Sequence, residues 1–528
     1  MDSHSMYAPC YTCRRRRIRC DQSHIPCAKC EKSGFECFQQ RPLRWVKGTT
    51  LRSKFQSPVL SKSLIEVSDS VATKSFGCSN GNVTGVNEPS SRYSGMPYSD
   101  TDRIDDIDTP TNPALILPQV LQDQAISHLN RTSRYYLDYY NDRICKLFIV
   151  HDSDRNPLRN LISLALSDSV LLNAVLTLAA RHLANTGRSF SLSRTATTYP
   201  QLLNASQDAL SYKYKAIQGL SCAVYDTTLS RQDTSLASIF LLIFLDLLES
   251  GSDRWNVHLE GATSWITSNK RHLESPAGTT QYEIRHFITS QLYLMGTLGG
   301  TFVRPKLLTQ FTQLQQFDMP LQDIVEQSFL GCPGYLLHAI QYLSFQRDAI
   351  VDAEPIDDAT ICKQVEDITA TMDSVQKFDC YGWAVSLPRR HQSSPEDIKN
   401  LCALAFAYKL GATIYGRRVL DASTGDVSSQ DDLVCELIGV IGSLQDDNAL
   451  FKCILWPMFV AGLECRWQAH RKFLVECMEK FWGLTLCLNV INAADILNEY
   501  WQRVDRQNQL SSQWIFDIGR LGQDWLLI

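Results

Sequence analysis

From about residue 119 to the end of the chain, apolar residues recur at helical spacing. Leu171, Ala174, Val175 and Leu178 follow one another at three, one and three positions, which is one face of a 3.6-residue period. Asn156 followed by Pro157 predicts a helix start, because Asn accepts from free N–H groups and proline fits the first helical position. Further helices are predicted over Ala209 to Leu220, Leu236 to Leu248, Leu401 to Tyr415 and Leu433 to Leu444. Strand-like alternation with hairpin signals is scarce, so the body is expected to be all-α, as two helical layers or a curved stack. Upstream the pattern fades. Residues 51–100 hold 12 serines and no tryptophan, and five prolines follow between Pro89 and Pro118. Such a stretch buries too little apolar surface to order itself and reads as a disordered linker. It carries no apolar heptads over three or more repeats, so a zipper is not expected there. The acidic segment from Asp100 to Asp108, with Ile104 and Ile107, reads as a solvated spacer rather than an activation segment.

Composition and charge refine this division. With 528 residues, 44% hydrophobic and 20% charged, most of the chain can bury a core. The length allows roughly three domains. The net charge of −5 hides two opposed parts. Residues 1–55 hold 12 Lys and Arg against 4 Asp and Glu, a net +8, and the rest carries −13. Polyanion binding is therefore expected of the head alone. The N-terminus lacks the apolar core of a secretory signal. The greasiest stretch, Leu236 to Leu248, spans 13 residues and carries Ser238 and Asp246. That falls short of the ~20 residues a bilayer needs, so an intracellular, soluble protein without a membrane partner is expected.

Six of the 18 cysteines lie within 28 residues. Cys10, Cys13, Cys20, Cys27, Cys30 and Cys37 read C-x2-C-x6-C twice over, and the second triplet repeats the first at an offset of 17. A C-x2-C pair brings two thiolates to one ion from a tight turn, and the x6 gap leaves room for a short helix that returns the third. Three ligands per half fall one short of tetrahedral closure. Two zinc ions sharing two bridging thiolates close the coordination with these six residues. Disulfides and an iron–sulfur site fit this spacing less well. His24 lies inside the loop but is not needed as a ligand. So small a unit has almost no apolar core, and its fold is expected to come from the metal.

Between the second and third cysteines the sequence is CRRRRIRC, with Arg14, Arg15, Arg16, Arg17 and Arg19. The matching stretch of the second half, CEKSGFEC, is mixed in charge. Arginine forks onto the O6 and N7 edge of guanine in the major groove while its neighbours hold phosphates, so a G·C-rich duplex is the expected target. Arg41, Arg44, Lys47, Arg52 and Lys54, with Trp45 among them, continue the basic character and suit phosphates or the minor groove.

The six-cysteine spacing, the basic run, Asp21 directly after the third cysteine and the CAKC at Cys27 to Cys30 resemble the fungal binuclear zinc cluster of the galactose-regulator type. That resemblance implies Cys10 and Cys27 as the bridging ligands and a short helix at the major groove. It implies Arg16 and Arg17 as readers of a CGG-like triplet, with Arg14, Arg19 and Lys29 gripping the backbone. Two departures stand out: Arg17 occupies a position that is usually Lys, and Pro26 abuts Cys27.

The body resembles the fungal-specific transcription factor domain through YYNDRICKLFIVHDSDRNPLRN, SLASIFLLIFLDLLES, RWNVHLEGATSWI and LWPMFVAGLECRWQAHR, over roughly residues 130–510. In that family the helical region regulates the DNA-binding module. The body has no phosphate-binding glycine loop, G-x-S-x-G elbow or H-E-x-x-H helix, and GTLGG at Gly296 to Gly300 is too irregular to count. His258 and Glu260, two apart on a helix, point to different faces, and His182 is expected to be a hydrogen-bonded core residue. The twelve later cysteines form no C-x2-C pair and read as small buried side chains.

The expected organisation is a zinc-cluster domain over 1–45, a basic then Ser/Pro-rich disordered linker over 46–118, and an all-helical regulatory domain over 119–528. The expected function is a nuclear, fungal, sequence-specific regulator of RNA polymerase II transcription that is not an enzyme. Two zinc ions are its cofactors, and its partners are double-stranded DNA, the transcription machinery or co-regulators, and a second copy as a homodimer. The competing readings are a metabolite receptor or enzyme-like body tethered to DNA, and a metal-storage head.

Overall fold

The structure is a computed structural model that describes residues 9–16, 18–22, 26–33, 37, 126–153, 155–190, 200–223, 229–252, 255–268, 280–305, 307, 328–351, 358–387, 394–507, 513–520 and 524–528. It divides into two compact units, Met1–Ile116 and Leu117–Ile528. Arg17, His24, the basic stretch past Phe38, the linker and the acidic segment lie outside the described residues.

The head holds two one-turn helices, α1 (Tyr11–Arg15) and α2 (Ala28–Lys32). The 17-residue sequence repeat is also a repeat of backbone. Cys10 caps α1 at φ −64°, ψ 149°, and Cys27 caps α2 at −65°, 147°. The helices end alike, at Arg16 and Ser33. Among the described residues the buried side chains of the head are Cys10, Cys13, Cys27 and Cys30, with Cys20 and Cys37 partly buried against them.

The body is helical in chain order: α3 (Arg131–Tyr139), a π-helical turn (Tyr140–Ile144), α4 (Cys145–Leu147), α5 (Pro157–Ser167), α6 (Ser169–Asn185), α7 (Pro200–Ala223), α8 (Leu229–Glu249), α9 (Trp255–Ser268), α10 (Thr280–Gly300), α11 (Gly334–Val351), α12 (Asp358–Lys377), α13 (Cys380–Ser386), α14 (Pro395–Thr424), α15 (Asp431–Ser443), α16 (Asn448–Phe451), α17 (Leu455–Glu464), α18 (Gln468–Thr485), α19 (Leu488–Gln507) and α20 (Trp514–Arg520). Two helices organise it. α6 packs on α3, α5, α7 and α8, and α14 packs on α11, α12, α13, α15 and α17, while α10 against α11 joins the two sets.

Local sequence sets these ends. Asn156 accepts from the Leu158 N–H at 3.0 Å, with Pro157 at the first position, as expected. Asp168 caps α6 through Val170 and Leu171. Ser394 and Asp397 cap α14 reciprocally, and Gly425 ends it at φ 79°. Leu171, Ala174, Val175 and Leu178 are all buried. The predicted helical stretches lie inside α7, α8, α14 and α15, the last ending one residue early at Ser443.

Close approach comes from small residues. A Cβ on Gly219 of α7 would sit 2.5 Å from Val170 Cγ2 on α6, and one on Gly411 of α14 would sit 2.7 Å from Trp456 Cζ3 on α17. Each buried Leu or Phe in this core contributes roughly 1.5–3 kcal/mol of transfer free energy.

Candidate metal centre and nucleic-acid interface

In the head the sulfurs converge in two groups of four. Cys10, Cys13, Cys20 and Cys27 form one, and Cys10, Cys27, Cys30 and Cys37 the other, each with all Sγ atoms within 4.8 Å of one another. Cys10 and Cys27 belong to both. The sulfurs of Cys10 and Cys27 lie 3.7 Å apart, Cys13 and Cys27 3.6 Å, and Cys10 and Cys30 3.8 Å. A disulfide needs about 2.05 Å. The edge of a tetrahedron of thiolates at a Zn–S distance of about 2.3 Å is about 3.8 Å, so the donor set fits zinc in spacing, number and softness.

Burial is the largest influence on how these thiols hold their protons. Burial pushes the Cys13 thiol up, the Cys30 thiol up to about 12, and the Cys37 thiol upward. Burial acts the same way at Cys10. There the Cys13 N–H, at 3.4 Å, and the neighbouring Cys13, Cys37 and Cys27 thiols outweigh it and bring Cys10 below the ordinary thiol range. Sulfurs so close cannot all ionise without compensating positive charge, which bound zinc supplies.

The structure puts Arg14, Arg16, Arg19 and Lys29 at the surface of the head. Arg15 lies in α1, and Arg17 is outside the described residues. Asp21, already part of the family resemblance, has a structural task that the sequence does not reveal. Asp21 Oδ2 accepts the Ala28 N–H at 3.0 Å and so anchors the first turn of α2. Its seven-residue offset matches no capping pattern, so only its place after the third cysteine marked it.

Two family descriptions match the chain: the fungal Zn(2)-Cys(6) binuclear cluster domain over residues 8–46, and the fungal specific transcription factor domain over residues 135–528. The chain belongs to this fungal transcription factor family. A relative matches nearly end to end: the acriflavine sensitivity control protein acr-2 of Neurospora crassa is 23% identical over 583 positions, covering 97% of this chain and 95% of the relative. No solved structure matches. The protein is thus a fungal transcription regulator whose head is a binuclear cluster domain binding two zinc ions. Domains of that kind bind DNA and often act as dimers.

The family stretches of the body are held by long-range polar contacts. Trp255 Nε1 donates to the Asp524 carbonyl at 3.0 Å, and Trp456 Nε1 to Thr301 Oγ1 at 2.9 Å. Arg159 spans Asn141 and Asp152, both at 2.6 Å. Arg418 of α14 forks onto Glu464 of α17 at 2.5 and 2.6 Å and also reaches Asp421, while Trp514 Nε1 donates to Glu464. Sequence reading found none of these partners, because the ion pair spans 46 residues and carries no local signal.

The residues weighed for catalysis occupy structural positions. His258 is buried 3.7 Å from Asp246, whereas Glu260 on the same helix is exposed. His182 Nδ1 meets Tyr139 Oη at 2.8 Å, and burial, aided by the Arg143 charge, lowers its pKa to about 4. The GTLGG stretch is the last turns of α10, not a loop. Beside it, a cavity lined by Thr297, Gln341 and Arg347 holds about 30 Å³, room for one or two waters but not for a metabolite. Among the described residues no helix is long and apolar enough to cross a membrane.

Proposed function

We propose that the chain is a nuclear, sequence-specific regulator of RNA polymerase II transcription and not an enzyme. In this reading residues 1–45 read double-stranded DNA, 46–118 tether, and the helical domain over 119–528 answers to co-regulators. Cys10, Cys13, Cys20, Cys27, Cys30 and Cys37 hold two zinc ions, with Cys10 and Cys27 shared. Arg16 and Arg17 contact a CGG-like triplet in the major groove. Arg14, Arg19 and Lys29 hold the flanking phosphates, and Arg15 belongs to the same DNA-binding run. The supporting observation is the pair of four-sulfur groups sharing two members, flanked by the exposed Arg14, Arg16 and Arg19.

The test is selection of bound sequences from random DNA by the full chain, followed by binding titrations. Arg17→Ala is expected to relax preference inside the triplet by about 1–3 kcal/mol, whereas Arg14→Ala weakens all sequences alike and lowers the salt slope by about one. If both variants scale affinity uniformly, the division between readout and anchoring is wrong. If no triplet emerges from selection, sequence reading itself fails.

A further inference from the structure

The seam between α10 and α11 is polar at three successive turns, Tyr293, Thr297 and Thr301, the last just past the end of α10. At the first, Tyr293 Oη donates to Gln341 Oε1 at 2.6 Å, and at the third, Arg347 Nη1 donates to the Thr301 carbonyl at 2.8 Å. The middle turn differs. Thr297 is 4% exposed, and its hydroxyl has no hydrogen-bond partner among the described residues. The Tyr293 hydroxyl comes near it without meeting hydrogen-bond geometry. Thr289, two turns earlier on the same helix, instead donates to the Arg285 carbonyl four residues back, at 2.9 Å. Thr297 lines the cavity of about 30 Å³, where Gly296 and Gly300 place no side chain and Val303 and Phe345 form apolar walls.

We propose that one resident water molecule occupies this cavity and forms the middle rung between α10 and α11, and so between the two helical sets of the body. A buried water needs room of this order and two to four polar partners. Thr297 Oγ1 gives it a proton. Ser344 Oγ, on the α11 wall of the same cavity, donates to the Ile340 carbonyl at 3.0 Å and meets Tyr415 Oη at 3.1 Å, so one lone pair remains to accept from the water. Arg347 is 1% exposed. It spends Nε and Nη2 protons on Asp348 and an Nη1 proton on Thr301, and another N–H faces Tyr415, which leaves it a donor. An apolar guest would leave the Thr297 hydroxyl buried and unpaired. An anion is not called for, because Asp348, 2.6 Å away, already balances the Arg347 charge. The guest is therefore neutral, polar and no larger than water.

The test is thermal unfolding of the body in the zinc-loaded full chain, wild type against Thr297→Val. Valine keeps the shape and removes the hydroxyl. In a dry cavity that change deletes an unpaired buried group and raises the melting temperature. With the water in place it removes one of the water's partners and lowers the melting temperature by about 1–3 °C. A Thr297→Val chain that melts at or above the wild type overturns the proposal. In a Ser344→Ala background the loss from Thr297→Val falls by at least half, because both hydroxyls serve one molecule; losses that add in full overturn the bridge. Should either variant fail to fold, a crystal structure of the wild-type chain decides. Density for a water within about 2.6–3.2 Å of both Thr297 Oγ1 and Ser344 Oγ supports the proposal, and an empty cavity overturns it.

Discussion

In the head, the buried residues Cys10, Cys13, Cys27 and Cys30 have sulfurs 3.6–3.8 Å apart. In the body, Cys145, Cys453, Cys465, Cys477 and Cys487 are as deeply buried, but each belongs to the large apolar core, and among the described residues none joins a metal-sized cluster. The same side chain serves two kinds of interior. In the body burial raises the thiols, Cys453 and Cys487 to about 12 and Cys465 and Cys477 to about 11, so they persist as neutral, small apolar groups. In the head burial and crowding oppose ionisation in the same way, and it is bound metal that makes the thiolates stable. A short segment with no aliphatic core thus acquires a fold by ionising its interior, whereas the body acquires one by excluding charge except where it is paired.

Chelation breaks this comparison most strongly. Structural zinc contributes on the order of 10 kcal/mol to a small domain, so removing it, or substituting Cys10→Ala or Cys27→Ala, abolishes the head's structure and DNA binding. The helical signal and melting of the body persist. Loss of both together would mean that the two interiors are not independent. Arg418→Ala tests the reverse case. It strands Glu464 and Asp421 in the body and costs about 3–5 kcal/mol, read as a lowered body melting transition at unchanged zinc content.

A smaller effect follows from His182. Its folded pKa, about 4, lies below the ordinary 6.5, so the unfolded chain binds the proton first as pH falls. Stability is intact above pH 6.5 and is lost as pH falls toward 4, by on the order of 3 kcal/mol. His182→Gln flattens that dependence in equilibrium unfolding. The smallest expected change is Gly219→Ala, which overpacks α7 against Val170 and costs about 1–3 kcal/mol in denaturant melts.

The metal ligands of the head were legible because metal ligation writes itself as spacing, and spacing is a property of sequence. The body was legible where a helix has one wet face, as in α15. It was not legible in α17, where every residue from Leu455 to Glu464 is buried and no periodicity survives. α10 carried no sequence expectation of its own beyond the dismissal of its GTLGG stretch as a phosphate-binding motif. Within that stretch, Gly299 is the space occupied by Trp255, whose Cη2 would lie 2.6 Å from an added Cβ. Partners distant in sequence, such as Arg418 with Glu464, are set by tertiary packing alone.

The matched caps at Cys10 and Cys27 make the head a near-symmetric object in its backbone, yet the arginines decorate only its first half, while Glu31 and Glu36 sit in the second. A scaffold with twofold bones and one-sided charge has a front and a back. The two halves, alike in backbone, therefore offer a charged surface different things: five arginines in the first, and Lys29 and Lys32 alternating with Glu31 and Glu36 in the second.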